Sequence, residues 1–250
     1  MPKIIALAGK GGVGKTTVGG ILIRYLVEEM RVGPVLAVDG DPNSNLNEIL
    51  GVKVISTIGQ ARELMKKDVP TGMTKDVWFE YKVHEAITEG RGFDLLVMGR
   101  PEGPGCYCAA NSLAKQSIEA LKGNYPYVVV DNEAGMEHMS RLVTQDVDYL
   151  YVISDPTPRG LLTSKRIVEL IGELKLTISH SYIVINRVRG KDKDRETLLE
   201  MAREKGLTIM GLIGDDEGLS EADAEGKSVF ELPGSSVALT DAYGIFRETL

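Results

Sequence analysis

Gly9-Lys10-Gly11-Gly12-Val13-Gly14-Lys15-Thr16 is the stretch from which the rest of the chain can be read. It satisfies the pattern G-x-x-x-x-G-K-[ST] and lies between an apolar run, Ile4 to Ala8, and a helical-looking stretch from Thr17 to Glu29. A strand, a glycine-rich turn and a helix start in that order are what a polyphosphate cradle requires. Glycines without Cβ atoms let successive backbone N–H groups curve around an anion, and the positive end of the following helix points at the same spot. The loop thus offers the backbone of Gly11, Gly12, Val13 and Gly14 to phosphates and the Lys15 ammonium to the outer ones. The Thr16 hydroxyl faces Mg²⁺, and the N–H of Thr17 the phosphates nearer the sugar. A ligand-free glycine turn is the alternative for the bare pattern, and the flanking strand and helix argue against it.

Outward from the loop, strands and helices alternate. Pro34 to Asp39, Phe93 to Met98, Tyr127 to Val130, Tyr149 to Ile153, Tyr182 to Ile185 and Thr208 to Ile213 read as further strands. Helices are expected over 57–67, 76–89, from the cysteines to about Lys122, over 137–145, 159–174 and 192–205, and near 219–226. This spacing predicts an α/β fold, a mostly parallel sheet with helices on both faces. No repeat, low-complexity tract or linker divides the chain, so one P-loop nucleoside-triphosphatase domain over residues 1–250 is expected.

The 250 residues are 43% hydrophobic, enough for a full core. A net charge of −7 argues against broad binding to nucleic acid or to an anionic membrane. No stretch approaches the ~20 apolar residues of a membrane span. With no leader-like segment before the first strand, a cytoplasmic protein that does not insert into membranes is expected.

Charged residues fall at strand ends, where open α/β sheets place their ligands. Asp131 closes the run Tyr127 to Val130, the position of an acid that holds Mg²⁺ through water or orients the Thr16 hydroxyl; a turn aspartate is the plainer reading. Asp41, in Asp39-Gly40-Asp41-Pro42-Asn43-Ser44-Asn45-Leu46, is the candidate for positioning an attacking water, because phosphoryl transfer gains most from alignment and charge placement. Asn186-Arg187 follows another strand, where a side-chain amide can read adenine's donor and acceptor edge. ATP is favoured over GTP because no N-K-x-D signature is visible. Cys106 and Cys108 are the only cysteines. One C-x-C supplies half of a tetrahedral thiolate site, which a second copy across a two-fold axis would complete. Zn²⁺, Ni²⁺, Cu⁺ or an iron–sulfur cluster would suit such ligands.

Lys10 is a second lysine that a loop holding phosphate within one chain does not need. GKGGVGKT with this lysine resembles the deviant Walker A loop of the family that contains the nitrogenase iron protein, the septum-positioning ATPases and the metal-insertion ATPases. The resemblance implies an ATPase, active as a homodimer, in which Lys10 reaches the partner's nucleotide. It implies a first switch at DGDPNSNL, with Asp41 rather than Asp39 aligning water and Asn45 touching the γ-phosphate. A second switch at DNEAGMEH would let Asp131 and Gly135 sense that phosphate. Asn186, with Arg187, would meet the adenine, and Asp215 and Asp216 would lie in a loop over it. KGGVGKTT, DGDPNSNL, PEGPGCYC, DNEAGMEHMSR and INRV, in that order, narrow the likeness to the CooC-type ATPases. These mature nickel–carbon monoxide dehydrogenase and acetyl-CoA synthase. In such relatives a cysteine pair binds nickel or zinc between subunits, which is implied here for Cys106 and Cys108, with one of those apo-enzymes as client. Tyr107 stands where some members carry proline. An iron–sulfur electron carrier like the nitrogenase iron protein is the alternative, weakened because that protein uses two well-separated cysteines per chain. A positioning or partitioning ATPase would show a basic tail or patch, which the C-terminal VALTDAYGIFRETL lacks. His138, beside the second switch, reads as a surface histidine or a metal ligand.

Overall fold

Short apolar runs that end in glycine or aspartate set the frame of the molecule. The computed structural model describes residues 1–100, 107–135, 146–174, 176–190 and 192–250. Its strands are β1 (Lys3–Gly9), β2 (Val35–Asp39), β3 (Thr88–Glu89), β4 (Phe93–Val97), β5 (Tyr127–Asp131), β6 (Asp146–Ser154), β7 (Thr177–Val188) and β8 (Ile209–Gly214). They form one sheet in the order β3-β4-β2-β5-β1-β6-β7-β8. Every pairing is parallel except that of β3 with β4. A parallel sheet under helices is what the alternation predicts.

The helices are α1 (Lys15–Arg24), prolonged through a wider turn to Glu29, then α2 (Leu46–Leu50), α3 (Ile58–Lys67), α4 (Lys75–Glu85) and α5 (Tyr107–Leu121). After these come α6 (Pro158–Leu174), α7 (Asp192–Glu204), α8 (Glu217–Ala224) and α9 (Val237–Thr249). Successive residues of β1 face opposite sides, so a strand buried on both faces must be apolar throughout. Ile5 and Leu7 join a cluster with Ile21 and Leu22 of α1 and Leu239 and Phe246 of α9. Ile4, on the other face, packs with residues of α3, α4 and α5, while Ala6 and Ala8 pack with α6 and α7.

Helix starts follow local chemistry. Thr57 and Gln60 exchange hydrogen bonds as a capping box on α3, and the side chains of Thr74, Asp216 and Ser236 each accept from the backbone at the start of α4, α8 and α9. The expected helix over 76–89 is shorter than its residues suggested. It stops at Glu85, and Thr88–Glu89 pairs antiparallel with β4. Strands β6 and β7 extend beyond 149–153 and 182–185 in both directions, because polar residues such as Asp146 and Thr177 at one end and the buried Ser154 at the other continue the ladder. The expected helix over 137–145 lies outside the described residues. Among the described residues, no helix is long and apolar enough to cross a membrane.

Candidate functional site

The site grows from three strand ends. Strands β1, β2 and β5 lie side by side in a register that aligns Leu7, Asp39 and Asp131. From the end of β1 the chain turns through the glycine loop into α1. Gly9 has φ 150°, and a Cβ there would strike the Ile153 carbonyl of β6; Gly14 has φ 89° and caps α1, where a side chain would strike Asn186. Glycine is required at both positions, by backbone conformation and by space.

Lys15 is buried, with 7% of its surface exposed. Burial lowers its pKa, while the charges of Asp131, Asp41 and Glu133 pull it back up. Its neighbour Thr16 donates its hydroxyl to Asp131 Oδ2 at 2.6 Å. Asp131 is 2% exposed, and burial pushes its carboxyl up to about 6 against the pull of Thr16 and Lys15. Its other oxygen, Oδ1, is buried without a hydrogen-bond partner among the described residues. A buried polar atom left unpaired costs about 1–3 kcal/mol, so an oxygen in that condition calls for a ligand. A carboxylate and a hydroxyl side by side, shielded from water, are oxygen donors of the kind Mg²⁺ takes, the rest coming from phosphate and water. Among the described residues no three His, Cys, Asp or Glu side chains cluster into an all-protein metal site.

Asp39 is fully buried and accepts from the N–H groups of Asp41 and Leu46, both at 3.0 Å. Burial raises its carboxyl to about 7. It therefore clasps both ends of the loop in which Asp41 sits. Asp41 itself is half-buried; its Oδ1 accepts from Asn43 N at 2.8 Å and its carbonyl from Ser44 N at 3.0 Å. Asn45 is exposed on the same loop. Sequence reasoning passed over Asp39; the signal was an aspartate closing a wholly apolar strand directly before a tight turn.

On the other flank, 131–135 runs beside the glycine loop. Asn132 Nδ2 donates to the Leu7 carbonyl at 3.0 Å, and the Gly135 N–H reaches the Gly9 carbonyl at 3.5 Å. Gly11 and Gly12 are exposed and Val13 is buried. Lys10 is exposed and has no partner among the described residues.

Asn186 and Arg187 meet the loop from the far side. Asn186 Nδ2 donates to the Val13 carbonyl at 2.9 Å and Arg187 Nη1 to the Gly12 carbonyl at 3.0 Å. Both thus brace the loop's outward carbonyls, which is what turns its N–H groups inward. Thr17, Ile49, Asn186, Arg187, Asp215 and Lys227 line a cleft that opens beside the start of α1. Asp215 pairs with Arg189 at 2.6 Å. Asp216 is engaged elsewhere: its carboxylate accepts from Leu219 N, Ser236 Oγ and Ala238 N, tying α8 to α9.

Cys106 and His138 lie outside the described residues. Cys108 falls in the first turn of α5, and its side chain is likewise outside them.

Known proteins agree with this picture. An uncharacterized ATP-binding protein of Methanocaldococcus jannaschii is 44% identical over 92% of this chain and 91% of its own length. The carbon monoxide dehydrogenase accessory protein CooC of Rhodospirillum rubrum is 31% identical over 91% of this chain and 89% of its own. Among solved structures, the septum site-determining protein MinD of Pyrococcus horikoshii, complexed with Mg-ADP, superposes with a TM-score of 0.74 at 23% identity. It covers 99% of this chain and 96% of that one. The family model for the CobQ/CobB/MinD/ParA nucleotide binding domain matches residues 4–229. The chain belongs to that family of P-loop ATP-binding proteins.

Proposed function

We propose that this protein is an ATP-hydrolysing metallochaperone: a homodimer that binds nickel, or zinc in its place, through Cys106 and Cys108 of each subunit. It would deliver nickel to an apo-enzyme of the carbon monoxide dehydrogenase and acetyl-CoA synthase class. The observation that carries the ATP half is the Thr16–Asp131 hydrogen bond beside a buried Lys15, with Asp131 Oδ1 unpaired among the described residues. The metal half is supported by the C-x-C in the sequence and by a 31% identical relative named as a carbon monoxide dehydrogenase accessory protein.

In this reading the whole chain, 1–250, is one unit. Gly11 to Gly14 turn their N–H groups to the phosphates, Lys15 binds the outer ones, and Thr17 the inner. Lys15 suffers little when it gives up contact with water, because it is already buried. Thr16 and Asp131 would hold Mg²⁺, which when bound would neutralise charge on the outer phosphates. Asp41 aligns a water, whose oxygen bonds to the terminal phosphorus as the bond to the bridging oxygen breaks, leaving ADP and phosphate. Asn45 and Gly135 contact the γ-phosphate, and Lys10, exposed and without a partner among the described residues, crosses to the partner's nucleotide. The base lies in the cleft beside Asn186 and Arg187. ATP drives a change of state only through unequal affinity for the closed and open dimers.

Elemental analysis with oligomer mass, made with and without a non-hydrolysable ATP analogue, tests the proposal. A colourless dimer with about one nickel or zinc per pair of chains supports it, since four thiolates make one tetrahedral site. A brown sample containing iron and sulfide favours an electron carrier instead. A monomer under every condition removes the intersubunit site.

A further inference from the structure

Helices α4 and α5 enclose a groove that the nucleotide site does not use. Its volume is 160 Å³, close to that of a cavity that takes up a benzene-sized group. Phe79 and Val83 of α4 and Leu121 of α5 form its floor, and all three are buried. Val77, 52% exposed, and the exposed Ala120 stand at its rim. Ser117 also lines it, but its hydroxyl is spent on the Leu113 carbonyl at 2.8 Å. The floor is therefore apolar, and it favours apolar side chains over groups that need a hydrogen bond.

The α4 lip of the groove is acidic. Asp76, Glu80 and His84 follow one another every fourth residue, which sets them on one line of the helix about 6 Å apart, and all three are exposed. Among the described residues neither carboxylate takes part in a hydrogen bond or an ion pair. Nearby cations do not neutralise them. Lys82 is committed to Glu85 at 2.5 Å and to the rings of Trp78 and Tyr81, and Lys122 to Glu119 at 2.7 Å. Lys75 and Lys115 lie outside the lining of the groove.

An apolar trough beside a lip with one carboxylate per helical turn matches one kind of occupant, an amphipathic helix. Such a helix lays its apolar stripe in the trough and sets lysine or arginine along the lip. Nucleic acid and anionic lipid would be repelled by the same carboxylates. A two-fold contact between copies of this chain would bring the lip against itself. The net charge of −7 adds long-range attraction for a basic partner. We propose that the groove between α4 and α5 is a docking site for a basic amphipathic helix of a partner protein. Its lining includes no residue of the glycine loop, the strand-end acids or the cleft beside Asn186, so docking stands or falls apart from the metallochaperone reading.

The test uses the full chain and a synthetic peptide of about 18 residues, long enough to hold a helix, with leucines along one face and lysines on either side of them. Its twin carries glutamate in place of every lysine. In calorimetric titrations the lysine peptide should bind at least about tenfold more tightly than the twin, and raising the salt from about 0.05 to 0.5 M should weaken it several-fold. Asp76→Lys/Glu80→Lys should reverse the order of the two peptides. Ala120→Gln, which sets an amide at the trough without changing charge, should weaken the lysine peptide by about tenfold.

Failure of the lysine peptide to bind, or equal binding of the twins to the unmutated chain, overturns the proposal. Binding that neither Asp76→Lys/Glu80→Lys nor Ala120→Gln changes overturns it too, because the peptide then sits elsewhere. A sedimentation mass that falls in Ala120→Gln also overturns it, by giving the groove to a second copy of this chain. The comparison of the twins needs no substitution, so it decides the charge preference even where a variant fails to fold.

Discussion

Two aspartates at the carboxyl-terminal edge of one sheet have opposite surroundings. Asp216, just past β8, has its carboxylate filled by hydrogen bonds from Leu219, Ser236 and Ala238. Burial presses its carboxyl upward, but those bonds, with one from Gly218, outweigh it and hold the group below its usual value. Asp131, at the end of β5, is raised to about 6 by burial and keeps one oxygen without a partner among the described residues. A carboxylate that the fold has saturated stabilises structure. One that the fold has buried and left half-bonded is waiting for something from outside. That difference is physical, and substitutions can break it.

The largest effect should come from the loop beside Asp131. Asp41→Ala should slow ATP turnover by about 10²-fold or more while leaving ATP affinity within a few fold. Hydrolysis assays beside calorimetric titration of a non-hydrolysable analogue measure both, and unchanged turnover would remove Asp41 from the mechanism.

Next in size, Asp131→Asn should weaken Mg²⁺-dependent ATP binding by about 10- to 100-fold, the range seen when a group supporting a metal is changed. The same substitution should leave the nucleotide-free protein as stable or more so, because it removes a charge that burial disfavours. Thermal unfolding without nucleotide reads that sign, and a clear loss of stability would show that Asp131 is structural after all.

The matching change at the other corner should go the opposite way. Asp216→Asn should cost about 1–2 kcal/mol, because the amide oxygen can keep the cap on Leu219 N while the NH₂ cannot accept from Ser236 Oγ or Ala238 N, with ATP turnover retained. Denaturant titration measures it. If Asp131→Asn and Asp216→Asn shift stability alike, the contrast between the two corners fails.

The smallest effect is in acid. A carboxyl held low in the folded state contributes stability that is complete above its unfolded value of 3.8 and is lost as pH falls through the lower folded value. The stability gap between the unmutated protein and Asp216→Asn should therefore be constant near about pH 6 and narrow toward about pH 3. A gap that widens in acid contradicts the sign assigned to Asp216.

Much of this was legible before any coordinates. The glycine loop, the apolar strands on either side of it and the acids at their ends announce themselves, because each is imposed by local chemistry on one short stretch. What was harder to read depends on distant partners. Asp216 looked like a loop residue above a base because nothing local says that Ser236 and Ala238, some twenty residues on, will claim its oxygens. Asp39 and Asp41 carry the same side chain, and only the register of β2 against β5 buries one and leaves the other accessible. Thr88 and Glu89 suit a helix as continuation of α4, but the antiparallel edge of β4 offers them a ladder instead. The helix α9 was legible in principle, with Ser236 as cap and Ala238, Leu239, Ala242, Ile245, Phe246 and Thr249 along its buried side.

The central position of β1 has a consequence for how the molecule comes into being. Its ladder neighbours are β5 and β6, which begin at Tyr127 and Asp146. On the ribosome, β1 finds no ladder neighbour until β5, which begins at Tyr127, has been made. More than a hundred residues must follow the oily segment Ile4 to Ala8 before it finds a neighbour, and no competent nucleotide pocket exists until then. For that interval the newborn chain carries a sticky, unpaired segment, and slow long-range pairing of this kind is where nascent proteins are most exposed to self-association.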